Sequence, residues 1–358
     1  MAEKVVVAMS GGVDSSVAAA ILKREGYEVI GVTMQIWLPE MSGDAHSTAC
    51  CGGSSEIEDA RKVAQSLEIP HYVVDFRDLF SKMVVADFCS EYCNGRTPNP
   101  CIRCNEYVKF GALLNKATEL GARYIATGHH ARIEWSTIDG RYLLKKGMDH
   151  RKDQTYVLYR FTQEQMKHTL LPIGHLEKER VREIARELGL PVAAKADSQD
   201  ICFIPDNDYP GFLSQHISGV IKPGPILDTH GRTIGQHKGS QLYTIGQRRR
   251  LGISAQKPLF VTAILPEQNA IVVGDENDLS RPMLIASDIN WISGTAPEQT
   301  SRVMAKIRYT HNETGSEISP LENGRLQVMF KEPQKAIAPG QSVVFYHDDI
   351  TLGGGIIE

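Results

Sequence analysis

The segment Val5–Gly26, VVVAMSGGVDSSVAAAILKREG, constrains the fold more than any other part of this chain. A β-branched run meets a glycine pair, and the glycines lead into small residues at helical spacing. Strand, tight turn and helix in that order present backbone amides to a phosphate. Gly11 and Gly12 let the backbone bend sharply and approach a ligand with no Cβ in the way. The amides from about Gly11 to Ser15 then face the anion that a helix N-terminus favours, and Ser10, Ser15 and Ser16 add hydroxyl donors. The turn lacks the lysine of the pattern G-x-x-x-x-G-K-[ST], so it supplies no cation for β- and γ-phosphates. Such a loop suits cleavage between the α- and β-phosphates with release of pyrophosphate. Asp14 is a candidate to hold Mg²⁺ or a group near the pyrophosphate. The plainer alternative is a serine–glycine N-cap on a packed helix.

Strand-like and helical runs alternate from the start of the chain to about Leu190. KVVVAM, YEVIGVTM, HYVVDF and RYIATG read as strands. Between them Ile57, Ala60, Val63, Ala64 and Leu67 recur at helical spacing. Further helices are expected from about Asp78, from about Tyr107 and over HLEKERVREIARELGL, which ends at Gly189 as a C′ glycine. This alternation predicts an α/β unit with a parallel sheet covered by helices on both faces. Beyond about Pro205 short β-prone runs are punctuated by Gly, Pro, Asn and Asp, as in antiparallel hairpins. The expected organisation is a catalytic nucleotide-binding domain over 1–205, a small β-rich central domain over 206–275 and a C-terminal antiparallel β-barrel over 276–358. At 358 residues the length allows about two to three such domains.

With 42% hydrophobic and 23% charged residues the chain reads as a soluble globular protein. No apolar run approaches the roughly 20 residues of a membrane span. The chain enters its first strand without a basic segment and an apolar leader, so a cytoplasmic protein with no membrane partner is expected. A net charge of −4 means that any RNA must be held by local patches.

Seven cysteines in a reducing compartment do not suggest a disulfide framework. GRTPNPCIRCN, Gly95 to Asn105, reads as an extended, turn-rich loop closed by Cys101-x-x-Cys104, with a helix starting near Asn105 or Glu106. A thiol at a helix N-terminus ionises more readily, and the thiolate is the reactive form. Half of a zinc site is the structural alternative, but no second C-x-x-C pair completes it. Cys202 lies in AKADSQDICFIP between Ile201 and Phe203, where a buried, inert thiol is the plain reading. Cys50, Cys51, Cys89 and Cys93 fit no such motif, and the last two, one helical turn apart, read as filler.

The opening SGGxDS resembles the pyrophosphate loop of the ATP-pyrophosphatase (PP-loop) superfamily, whose fold resembles the adenine nucleotide alpha hydrolases. With TPNPCIRCN, TGHHAR, KDQTYVLY, DSQDICFI, TIGQRRRLGI and LGGGIIE, in that order from end to end, the chain resembles the tRNA-specific 2-thiouridylase family. The resemblance implies ATP-dependent 2-thiolation of the wobble uridine in tRNAs for Lys, Glu and Gln. ATP adenylates the C2 oxygen, a sulfur nucleophile attacks C2, and AMP and pyrophosphate leave. Sulfur arrives as a persulfide on Cys202, and Cys104 attacks that persulfide or closes a disulfide with Cys202. The donor is expected to be a cysteine desulfurase or a sulfur-relay carrier. Many members carry aspartate where this chain has Cys101, so Cys101, Cys104 and Cys202 as ligands of an iron–sulfur cluster stay open as the alternative.

By the same resemblance ATP is bound by Ala8, Met9, Ser10, Gly11, Gly12, Val13, Asp14, Ser15, Met34 and Gly128. Gly128 also stands just after a strand, at the edge where α/β sheets take ligands. The tRNA contacts implied are Asn99, Pro100 and Cys101 at a flipped-out base, His129, Lys152, Asp153 and Gln154, and Arg308, Tyr309 and Gln341 in the barrel. On residue type alone Met34 reads as core and His129 as an ordinary loop histidine. Arg248, Arg249 and Arg250 form the densest basic cluster, suited to sequence-independent phosphate contact.

Overall fold

The computed structural model describes residues 2–36, 53–196, 201–204, 208–217 and 221–358. Cys50, Cys51, residues 197–200 of the DSQDICFI stretch and the expected boundary at 205–206 lie outside them. Seven strands come first: β1 (Lys4–Ala8), β2 (Glu28–Gln35), β3 (His71–Asp75), β4 (Tyr124–Ala126), β5 (Ala131–Ser136), β6 (Arg141–Lys146) and β7 (Thr169–Leu170). Five of them form the expected parallel sheet in the order β3-β2-β1-β4-β7. The order reverses between β1 and β4, so the crevice that takes ligands in such sheets opens beyond the ends of those two strands.

Side chains of β1 alternate between two cores, as a doubly covered strand requires. Val5 and Val7 point with Met9 toward α1 (Val13–Arg24) and α2 (Ser54–Ser66), while Val6 joins Ile30, Val32 and Met34 on the other face. That second face is covered by two long helices. α3 runs through the contiguous pieces Arg77–Phe80, Ser81–Val85 and Ala86–Cys93. α4 runs through Pro100–Arg103, Cys104–Ala112 and Leu113–Glu119, the middle piece being π-helical. α5 (Lys178–Glu187) packs beside α1 and is closed by Gly189 at φ +60°.

The start of α4 corrects the reading of TPNPCIRCN as a loop that cannot be helix. Pro100 is the first helical residue, and the Asn99 side chain caps it by accepting from the Cys101 N–H at 3.1 Å. Proline at this position forfeits no hydrogen bond, because the first amides of a helix have no intrahelical partner. Cys101 and Cys104 therefore ride in the first turns of a helix rather than in the loop before it.

Four strands, β8 (Gly224–Leu227), β9 (Thr233–His237), β10 (Phe260–Leu265) and β11 (Ala270–Gly274), make the central sheet in the order β10-β11-β8-β9. Its middle pair, β11 with β8, is parallel, so the unit is not the run of antiparallel hairpins expected. The last six strands are β12 (Ser280–Trp291), β13 (Ser301–Lys306), β14 (Thr314–Pro320), β15 (Leu326–Lys335), β16 (Ser342–His347) and β17 (Ile350–Ile357). They close into an antiparallel barrel in which β17 pairs back onto β12. The hairpin β5–β6 extends that sheet by pairing β6 with β17.

The barrel is held to the α/β unit by buried polar contacts. Tyr156 donates to the Ser342 carbonyl at 2.8 Å, the Tyr159 hydroxyl meets Ser342 Oγ at 3.1 Å, and Asn290 donates to the Tyr159 carbonyl at 2.7 Å. Arg160 binds Asp288 of the barrel and Glu106 of α4. The glycines of LGGGIIE permit this docking. A Cβ on Gly354 would stand 2.5 Å from the Val343 carbonyl oxygen and 2.9 Å from the Tyr159 ring. Gly354→Ala is expected to destabilise the protein by about 1–3 kcal/mol through overpacking. A lower urea midpoint at unchanged slope is the predicted readout, and an unchanged midpoint would contradict this packing.

Candidate functional site

The loop after β1 is pinned by its own polar groups. Ser10 N–H donates to Ser15 Oγ at 3.2 Å, and the hydroxyls of Ser15 and Ser16 donate to the Gly12 carbonyl at 3.2 and 2.8 Å. Gly12 caps α1 with no side-chain hydrogen bond, so the first amides of this 12-residue helix face whatever anion enters. Gly11 has φ +70°, and a Cβ there would run into the Glu56 carbonyl of α2. Thr33 secures the floor by donating to the Met9 carbonyl at 2.8 Å.

Gly128 brings the end of β4 against this loop. A Cβ on it would lie 2.6 Å from both the Asp14 carbonyl carbon and the Ser15 nitrogen. The result is a cavity of about 190 Å³ between the two strand ends, lined on one side by Ala8, Met9, Ser10, Asp14 and Ser15. Thr33, Met34, Thr127, Gly128, His129, Gln154 and Lys109 of α4 complete it. Ala8, Met9, Ser10, Asp14, Ser15, Met34 and Gly128, expected on ATP, thus meet in one cavity. Met34 is 7% exposed in the core and also lines the cavity.

The absence of lysine holds for the loop's sequence but not for its surroundings. Lys178, at the N-terminus of α5, donates to both carboxylate oxygens of Asp14 at 2.7 Å. Lys195 donates to the Gly11 carbonyl at 3.2 Å and to Asp59 at 2.8 Å, clamping the loop to α2. His130 Nε2 stands 3.5 Å from Asp14. Burial alone would raise the Asp14 pKa, but His130 and the Lys178 ammonium outweigh it and hold the carboxyl below its usual range. Asp14, the candidate for Mg²⁺ or for a group near the pyrophosphate, thus has both oxygens engaged by Lys178. Lys178, Lys195 and the cavity-lining Lys109 escaped the sequence reading because each comes from a distant segment with no local pattern around it.

His129 is buried, with Nδ1 2.7 Å from the Thr127 hydroxyl, and its pKa is held well below the usual value by burial and then by the Lys109 charge. It is a neutral imidazole in the cavity wall. Gln154 lines the same cavity and accepts from the His130 N–H at 2.9 Å. Asp153 is turned inward and accepts the Thr155 hydroxyl at 2.6 Å and the Gly147 N–H at 3.2 Å. The Lys152 backbone N–H donates to the Asp149 carbonyl at 3.0 Å.

Cys104 is buried in the core beneath the second face of the sheet, and Cys202 packs against the same cluster. Phe203 anchors the Cys202 stretch there, with its ring 5.4 Å from Phe80 and 5.5 Å from Phe88. Both thiols therefore stand on one side of the sheet. Cys101 is exposed on the helix surface while Cys104 faces the core. Among the described residues no three His, Cys, Asp or Glu side chains gather to hold a metal ion. Burial pushes the Cys89 thiol up to about 11 and raises Cys93 as well, which suits inert filler.

The barrel reaches this region directly. Gln341 donates to the Thr97 carbonyl at 2.9 Å, and the Thr97 N–H donates to the Pro339 carbonyl at 2.7 Å, so the loop leading to Asn99 and Pro100 hangs from the barrel. Tyr309 is 39% exposed and lies near Tyr156, and its phenol pKa is raised by burial and then by Asp153 and Cys101. Arg308 donates to the Ala336 carbonyl at 2.6 Å and to the Ile245 carbonyl at 3.3 Å, tying the barrel to the central sheet. Arg248, Arg249 and Arg250 are exposed.

Three family models match the chain: "tRNA methyl transferase HUP domain" over residues 3–206, "tRNA methyl transferase PRC-barrel domain" over 210–275 and "Aminomethyltransferase beta-barrel domain" over 281–357. Among curated relatives, a protein of Clostridium perfringens is 52% identical over 99% of this chain and 98% of its own length. One from Moorella thermoacetica is 53% identical over 99% of each chain, and one from Acetivibrio thermocellus is 53% identical over 99% of each. All three carry the name tRNA-specific 2-thiouridylase.

The Asp14–Lys178 pair has a pH signature. The depressed carboxyl pKa means its stabilisation is complete above the unfolded value of about 3.9 and is lost as pH falls through the lower folded value. Asp14→Asn, which leaves the Lys178 charge without its carboxylate, is expected to cost about 1–3 kcal/mol at neutral pH. Urea titrations of both proteins at decreasing pH should show that difference shrinking below about pH 4. A difference that stays constant into acid would contradict the pairing.

Proposed function

The chain belongs to the tRNA-specific 2-thiouridylase family, and on that premise we propose that Cys104, Cys202 and the cavity between β1 and β4 carry out ATP-dependent 2-thiolation of the wobble uridine of tRNA. The observation that carries this reading is α4, which holds Cys104 near its start and enters the nucleotide cavity with Lys109. A loop of free amides suits a polyphosphate substrate, and two thiols on one face of the sheet suit a sulfur relay.

In this reading the uracil C2 oxygen attacks the α-phosphorus of ATP. The bond to the β-phosphate oxygen breaks, pyrophosphate leaves with the electron pair, and the N3 proton passes to solvent. The oxygen has become a leaving group. The terminal sulfur of a Cys202 persulfide then attacks C2, and AMP departs with the former carbonyl oxygen. Cys104 thiolate attacks Cys202 Sγ, the sulfur–sulfur bond to the substrate breaks, and thiouridine is released after N3 regains a proton. Cys104 and Cys202 are left as a disulfide, which a thiol reductant resets before the next persulfide is loaded. A reducing, cytoplasmic setting suits that reset. Among the described residues no helix is long and apolar enough to cross a membrane.

The protein's own residues divide the work. The α1 amides, Ser10 and Ser15 receive phosphate, and Met34 and Gly128 accommodate the adenosine. Mg²⁺ would accompany the triphosphate and offset its charge. Asn99, Pro100, Cys101 and Tyr309 border the entrance for the flipped base, while Arg308, Gln341, Lys152 and His129 frame the tRNA. The tRNAs for Lys, Glu and Gln are the proposed substrates, and a cysteine desulfurase or sulfur-relay carrier the donor.

Mass spectrometry of tRNA incubated with enzyme, ATP, Mg²⁺ and a persulfide donor is expected to find sulfur in place of one oxygen on the wobble base. Cys104→Ser and Cys202→Ser should each lower the yield by at least about 100-fold while tRNA-dependent pyrophosphate release continues. Full thiolation by Cys104→Ser would overturn the relay.

A further inference from the structure

We infer that Asp288, on a bulge of the barrel strand β12, is a positioning residue for the sulfur-transfer step, acting through the helix that carries Cys104. This rests on the sulfur-relay reading above. β12 pairs with β17 up to Ser287, slips, and resumes at Asn290. The span Ser287–Asn290 faces only Ile356–Gly354, so β12 carries one extra residue there. Within the slip Asp288 has φ +49°, a left-handed conformation that residues other than glycine seldom adopt. Such a bulge bends its strand and re-aims a side chain. Here it brings the Asp288 carboxylate to two arginines of the α/β unit. Arg160 holds it with both terminal nitrogens, at 3.0 and 3.1 Å, and donates to the Asp288 carbonyl at 3.2 Å. Arg103 stands 3.6 Å away.

Four charges then close a ring beside the turn that holds Cys104. Glu106 accepts from Arg103 at 3.1 Å and lies 2.8 Å from Arg160, so each cation meets both acids. Arg103 immediately precedes Cys104 and Glu106 follows shortly after, so the ring fixes α4 on both sides of the thiol. Arg103 also reaches Asp87 of α3 at 3.7 Å, and the adjoining Phe88 packs on Phe203 beside Cys202. Both sulfur-carrying segments are thus referred to one carboxylate of the barrel. The side chains of Arg103, Glu106 and Arg160 are at most 20% exposed, so salt screens these pairs less than surface pairs. A strained backbone kept where its carboxylate serves two arginines next to a nucleophile marks a functional constraint. The nucleotide loop is held by other groups, namely Ser15, Lys178 and Lys195. Loss of the ring therefore spares adenylation and disturbs the meeting of the two thiols.

The test compares wild type, Asp288→Asn and Asp288→Glu with tRNA, ATP and a persulfide donor. Thiouridine formed and pyrophosphate released are both followed, and melting temperature is measured alongside. Asparagine tolerates the same backbone conformation, so Asp288→Asn removes the charge and leaves the bulge. It is expected to slow thiouridine formation by at least about ten-fold, while tRNA-dependent pyrophosphate release stays within about three-fold of wild type. Asp288→Glu keeps the carboxylate and should recover part of the thiolation rate. Glu106→Gln is expected to show the same split. Combined with Asp288→Asn it should cost little more than either change alone, because both open one ring. A smaller loss of thiolation, or a parallel loss of both products, would overturn the assignment. Should Asp288→Asn fail to fold, Glu106→Gln is read by the same criteria. Wild-type enzyme that formed no thiouridine would instead overturn the relay reading, and this inference with it.

Discussion

Two backbones touch at Gly128, where the end of β4 lies against the first turn of α1. A methyl group there would overlap the Asp14–Ser15 peptide at 2.6 Å, so the contact exists only because the residue has no side chain. The rest of the site depends on this approach. It brings Thr127 and His129 to the β1 loop at the point where the strand order reverses, and so forms the cavity that a parallel sheet offers to ligands. It also fixes Asp14 where α5 can supply Lys178, so that the loop's single acid is matched by a cation from about 160 residues later in the chain.

A second constraint joins the cavity to the sulfur chemistry. α4 begins at Pro100 under the Asn99 cap, passes Cys104, and lines the cavity at Lys109. Its entrance loop hangs from the barrel through Gln341 and Thr97, and its flank is tied to the barrel through Glu106, Arg160 and Asp288. The barrel is therefore part of the scaffold that positions the helix carrying Cys104. The hairpin β5–β6 reinforces this by continuing the barrel sheet back into the first unit.

Much of this was legible in the chain. The strand–glycine–helix opening located the cavity because backbone geometry there is dictated by local residue type: glycine for the bend, hydroxyls for the turn. Helical spacing found α2 and α5, and the Gly189 stop fell where the helix ends. The start of α4 was missed because proline was read as a helix breaker, although at the first helical position it has no hydrogen bond to lose. Lys109, Lys178 and Lys195 were missed because a lone lysine has no periodicity, and only tertiary packing reveals its carboxylate or cavity. Tyr156 and Tyr159 of KDQTYVLY fall in a stretch that carries the family resemblance, yet both are fully buried and bond Ser342 of the barrel. A sequence can mark such a motif without saying which of its residues serve packing and which serve a ligand.

The central claim is that the nucleotide is spent to turn a carbonyl oxygen into a leaving group. The direct measurement is to prepare substrate tRNA with heavy oxygen at C2 of the wobble uridine and follow the label through one turnover. The account predicts that the heavy oxygen leaves in the phosphate of AMP, one atom for each thiouridine formed. Label found in water or pyrophosphate, with AMP unlabelled, would contradict it.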